Sequence, residues 1–106
     1  MLDTRHYFRP LTTAFVGLLR SLKAEQWDSP TAAREWRVRD VVAHLTDTAL
    51  RRVSFHRDGQ VPPAPPGDIP LVTFINTLNA EWVGAMRRAS PRVLTCLLYT
   101  SPSPRD

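Results

Sequence analysis

Apolar residues recur at helical spacing in three long stretches, and no stretch alternates apolar and polar positions as a half-buried strand does. Leu11, Phe15, Leu18, Leu19 and Leu22 form the first stripe, which predicts a helix over about 5–24. Pro10 fits near the start of its regular part, where a missing N–H costs little. Residues 26–35 are polar and include Ser29-Pro30, so they predict a loop with Trp27 and Trp36 folded back on the core. Val38, Val41, Val42, Leu45 and Ala49 give the second stripe, extended by Val53, and predict a helix over 38–57. Asp40 falls in its first turn, where negative charge suits the helix dipole. Arg37, at the expected cap, is a poor capping residue, and Gly59 stands where a C-terminal stop belongs. The run VPPAPPG at 61–67 predicts an extended connector of polyproline character. Leu71, Phe74, Ile75, Leu78, Trp82 and Met86 line a third helix over about 70–89. Ser90-Pro91 then supplies an N-cap and a first-turn proline for a fourth helix, with Val93 and Leu94 as its first buried residues.

Composition narrows the picture. The chain has 106 residues, 42% of them apolar, enough for one small domain or a part of one. Fourteen Lys and Arg against ten Asp and Glu give a formal charge of +4. Arg51-Arg52 with Arg57, and Arg87-Arg88, are local basic patches. A nucleic-acid surface calls for denser basic residues along one face, so no nucleic-acid partner is expected. The single Cys excludes an internal disulfide framework and a Cys-based zinc finger. No apolar run approaches the roughly 20 residues of a membrane span. The apolar stretch 11–19 is followed by Arg20 and Lys23 without a small-residue cleavage site, so no secretory signal is expected. These features predict a soluble, cytoplasmic protein.

Candidate chemistry is sparse. The three histidines are His6, His44 and His56, and no two are spaced four apart on one helix. Zinc takes three or four N, O or S ligands, so no local metal site is written in the spacing. His44 lies mid-helix beside Val41 and Leu45; such a residue, alone, is more often a core or boundary histidine than a ligand. His56 sits at a helix end, where it complements the dipole. His6 is expected to be exposed or packed on the first helix. Asp40 and Asp47 read as a cap and a solvated or Arg-paired residue, not an acid/base pair. There is no Gly-x-Ser-x-Gly and no glycine-rich phosphate loop.

The last eleven residues, CLLYTSPSPRD at 96–106, break with the pattern before them. They equal, residue for residue, one translated frame of a transposase-based sequencing adapter. Residues 1–95 are therefore expected to be the domain portion and 96–106 a non-native tail. Such a tail is left out of fold reasoning.

The run Trp36-Arg-Val-Arg-Asp-Val-Val-Ala-His44-Leu45 resembles the W-x-V-x-D-V-x-A-H-L helix start of the N-terminal metal-binding domain of mycothiol-dependent maleylpyruvate isomerase, in the DinB-like superfamily. Asn79-Ala-Glu-Trp82 and Ser90-Pro-Arg92 resemble its third helix and fourth-helix start, so the resemblance spans essentially all of 1–95. It implies an all-α, DinB-like up-and-down four-helix bundle, here three helices and the start of the fourth. It implies a divalent metal, typically zinc, with His44 as a ligand, and mycothiol or a related thiol as cofactor. In the family the remaining ligands come from a later helix, and no residue of 1–95 takes those roles. The metal would hold the thiol as thiolate, the nucleophilic form. In the isomerase, that thiol adds to an unsaturated diacid and permits cis–trans rotation; many relatives act as thiol-dependent transferases. The implied partners are a small-molecule substrate and the thiol. The Pro-rich connector and the Arg37 cap set this chain apart from the isomerase proper, which puts maleylpyruvate in doubt as substrate. The alternative is a non-catalytic helical-bundle scaffold that lost the metal.

Three helices and the start of a fourth leave one groove of a bundle open. The chain by itself is therefore predicted to be marginal, aggregation-prone or molten and, as a fragment, inactive. Thermal melts by near- and far-UV circular dichroism test this: a broad transition with weak near-UV signal is expected, and a sharp cooperative melt with full near-UV signal would contradict it.

Overall fold

The computed structural model describes residues 5–100, with side chains placed from residue 13 onward. The side chains of His6 and Leu11 and the tail beyond Thr100 lie outside the described residues. Four helices follow one another: α1 (Arg5–Ser21), α2 (Val38–Arg52), α3 (Leu71–Met86) and α4 (Pro91–Thr100). A short 3-10 turn, Ala24–Asp28, stands between α1 and α2, and a π-helical turn, Val53–Arg57, prolongs α2. The architecture is all-α, as the sequence predicts; among the described residues Pro30 and Arg37 form an isolated bridge and there is no strand.

α2 is the central element. It packs against α3, α4 and the 3-10 turn, while α1 packs against α4. The core is built from Leu19 of α1, Trp27 of the turn, Val42 and Ala43 of α2, and Leu94 and Leu98 of α4. Leu94 and Leu98 are four apart, so they lie on one face of α4. That spacing carries α4 through residues 96–100, past the expected limit of the domain portion.

The helices stand where periodicity puts them, but several buried faces are rotated from the expected ones. In α1, Val16 and Leu19 are buried while Leu18 is exposed. In α2 the buried positions are Asp40, Val42, Ala43 and Thr46, and Leu45 is exposed. In α3 only Val83 is fully buried, and Leu71 and Ile75 face water. Val93 is exposed and Leu94 takes the core position. In each helix the buried face is the one a neighbour covers, and in α2 that face includes the polar Asp40 and Thr46. α1 starts at Arg5, so Pro10 lies inside the helix, at the cost of one backbone hydrogen bond.

The polar stretch before α2 is more ordered than its composition suggests. The Val38 N–H donates to the Ser29 carbonyl at 3.1 Å, and the Thr31 hydroxyl donates to the Trp36 carbonyl at 2.8 Å. These bonds close the loop and return Trp36 to the side of α2. Asp58 donates its N–H to the Val53 carbonyl, and Gly59 follows with φ +69°, the left-handed stop its position predicts. The Ser90 hydroxyl accepts the Val93 N–H at 3.2 Å, which caps α4.

Asp40 ties these parts together. Its side chain is buried, and it accepts the Arg37 backbone N–H at 3.0 Å, so the third residue of α2 caps the helix that Arg37 cannot cap by accepting. Arg37 instead donates from its guanidinium to the Asp28 carbonyl at 2.9 Å. The other partner of Asp40 is Arg87, just past the end of α3, with N···O separations of 3.3 and 3.4 Å. The dipole role read from sequence is therefore one part of a larger one.

Replacing Asp40 removes the returned cap bond and the Arg87 contact together. Asp40→Ala is predicted to cost about 2 kcal/mol by chemical denaturation. Arg87→Ala is predicted to cost under about 1 kcal/mol, because its side chain is more than half exposed. Equal losses would show that the ion pair, not the cap, is the stabilising part.

Candidate functional site

His44, Asp47, Arg51 and Phe55 follow one another at spacings of three and four along α2 and its π turn, so they share one stripe. A π turn is a rare interruption and is found most often near functional positions. His44 is half-buried, and the Trp36 ring lies against it with centroids 4.9 Å apart and planes tilted by 45°. The closed loop before α2 is what brings Trp36 there. This contact explains physically why a Trp eight residues ahead of a His belongs to one motif.

The other motif positions also acquire roles. Val38 packs against the core cluster. Asp40 caps α2. Ala43 is buried, and its carbonyl accepts the Trp82 indole N–H at 2.8 Å. Trp82 is half-buried, and the bond to the Ala43 carbonyl satisfies its indole N–H.

The His44 ring has one unmet need. Its Nδ1 is buried without a hydrogen-bond partner among the described residues. Leaving such a group unsatisfied costs about 1–3 kcal/mol. A buried, unpartnered imidazole nitrogen suits a metal ligand. Yet among the described residues no three His, Cys, Asp or Glu side chains come together as a metal-holding group. His44 fits as one ligand, and nothing else described completes a set. His56 is exposed on the π turn, beside Arg57, and Cys96 is a free, exposed thiol on α4.

Next to the stripe, α2 and α3 enclose a half-open groove of about 610 Å³. Phe55, Pro62 and Pro63 form one wall and Leu71, Phe74 and Leu78 the other. Asp47, Arg51, Glu81 and Trp82 also line it. Arg51 is engaged twice, by the Asp47 carboxylate four residues earlier and by the Asn79 side-chain oxygen at 2.6 Å. Asp47 is thus the Arg-paired residue the sequence predicts. Within the expected basic patches, Arg87 meets Asp40 and Arg57 meets Asp58. The hydrogen bond from Arg57, aided by its charge, holds the Asp58 carboxyl below the usual carboxylate range. Sequence reading assigned Trp82 and Leu78 to a core face and gave Glu81 no role. The signal it passed over is that α3 carries a single charged residue, Glu81, in sixteen.

Among the described residues no helix is long and apolar enough to cross a membrane. No curated protein and no solved structure matches the chain. The family described as the mycothiol maleylpyruvate isomerase N-terminal domain matches residues 8–101, nearly the whole length. The match takes in the motif from Trp36 to Leu45, the α2 stripe and the groove wall on α3, and by it the chain belongs to the mycothiol maleylpyruvate isomerase N-terminal domain family.

Proposed function

We propose that this chain is the helical portion of a metal-dependent enzyme that uses a low-molecular-weight thiol of the mycothiol type, as an isomerase or a thiol transferase. His44 supplies one ligand to a divalent metal, zinc by preference, and the other ligands lie outside the described residues. The observation that carries this reading is the buried His44 Nδ1, without a hydrogen-bond partner among the described residues, on the helical stripe whose Asp47, Arg51 and Phe55 line the groove. A metal bound there would supply thiolate at neutral pH. The chain's own contributions are positional. Trp36 packs on the imidazole and limits its rotation. Trp82 and Ala43 fix the distance between α2 and α3 at the level of His44. The described residues supply one ligand of about three, so on this reading they are not expected to be active by themselves.

Zinc titration followed by NMR of the imidazole carbons tests the assignment. Zinc is expected to bind weakly, to shift the His44 signals before those of His6 and His56, and to be lost on dialysis. His44→Ala is expected to abolish the first shift. One zinc per chain retained through dialysis would contradict the single-ligand reading. Shifts confined to His6 and His56 would remove His44 from the role and favour the scaffold alternative.

A further inference from the structure

Arg51 is the one cation among the described residues that line the groove between α2 and α3. A guanidinium carries three nitrogens, and this one uses a single nitrogen for its neighbours. Its Nη2 donates to the Asp47 carboxylate and to the Asn79 side-chain oxygen, the latter at 2.6 Å. Nε and Nη1 have no partner among the described residues. Asp47 belongs to α2 and Asn79 to α3, so the guanidinium is held from both walls. A planar fork fixed in this way loses little freedom when a further acceptor arrives. The side chain is 31% exposed, so its remaining N–H groups are open to the groove and only partly hydrated.

The surroundings decide how an anion would bind there. Phe55, Pro62, Pro63 and Phe74 stand in the same groove. Apolar walls lower the local dielectric, where a charge-assisted hydrogen bond is stronger than in water. Asp47 offsets part of the Arg51 charge, and Glu81 lies exposed on the opposite wall. Attraction therefore comes from direct contact with the free N–H groups and not from the overall field of the groove. Register fixes the distance to His44. Arg51 follows His44 by seven residues on one stripe, a rise of about 10 Å along α2. An acid held at Arg51 thus presents to His44 not its bound carboxylate but an atom further along its chain.

We infer that Arg51 is a substrate-binding residue: its Nε and Nη1 receive the remote carboxylate of a linear dicarboxylate whose chain runs along α2 toward His44. The inference rests on the thiol-enzyme reading above and deepens it, by naming the side chain that orients the acid.

The test follows the Arg51 Nε–H resonance of the chain as it exists, titrated with pimelate, 1,7-heptanediol and heptane-1,7-diammonium, three probes of one length and different charge. Pimelate is expected to shift Arg51 Nε–H saturably, together with backbone amides of residues 47–51 and 78–82, and the diol and the diammonium to leave that resonance in place. Asp47→Asn removes the competing carboxylate and is expected to tighten pimelate binding about two- to fivefold, the range of one partly exposed ion pair. Arg51→Gln is expected to abolish the saturable amide shifts. An Arg51 that only ties α2 to α3 would show no pimelate shift at Nε–H and no gain in Asp47→Asn, and either result overturns the inference. So does a saturable pimelate shift at other arginines with Arg51 unmoved, or tighter binding of the diammonium. The zinc titration separates the two readings. A pimelate response at Arg51 without a zinc response at His44 sinks the metal reading alone; a zinc response at His44 with Arg51 unmoved by pimelate sinks this inference alone.

Discussion

One buried carboxylate holds the working parts of this molecule in register. Asp40 accepts the N–H that opens α2 and meets the guanidinium that follows α3, 47 residues later in the chain. Arg37, relieved of capping, reaches back to the 3-10 turn that carries Trp27. The start of α2, the end of α3 and the loop before them therefore share one anchor. A buried acid has to be met by hydrogen bonds or charge, and Asp40 is met by both. That requirement fixes where α2 begins, and so where His44 stands one turn further on.

From this anchor α2 is held on more than one side. Val42 and Ala43 are packed among Leu19, Trp27 and Leu94, and Trp82 bonds to the Ala43 carbonyl. α3 is held differently. Val83 is its one fully buried residue, and polar contacts from Asn79, Trp82 and Arg87 do much of the rest. The result is a firm helix bearing the stripe of His44, Asp47, Arg51 and Phe55 and a less buried helix forming the opposite wall. The space between them is the groove.

Much of this was legible in the chain. Helical spacing located three helices and Ser90-Pro91 the start of the fourth, which the structure carries on to Thr100; Gly59 and Ser90 marked a stop and a start that the backbone bears out. The run from Trp36 to Leu45 pointed to the family before any geometry was known. Which face of each helix is buried was not legible, because Leu18 gives way to the equally apolar Leu19 and Leu45 to the polar Thr46. The neighbour decides, and the neighbour is a tertiary fact. The same holds for Asp40, since nothing local connects it to Arg87, and for Trp36, which reaches His44 only after the loop closes. The groove was not legible for a related reason: Phe55, Pro62 and Phe74 line one space only once the connector and α3 fold back beside α2.

α2, packed against α3, α4 and the 3-10 turn, is the more firmly held helix, and α3, with Val83 as its one fully buried residue, the less firmly held one. Residue-resolved hydrogen exchange under native conditions tests this difference most directly. The account predicts that amides around Val42 and Ala43 exchange only with global unfolding, while those of residues 75–80 exchange earlier, through a partial opening that leaves α2 intact. Equal protection along both helices, or α2 opening before α3, would contradict it.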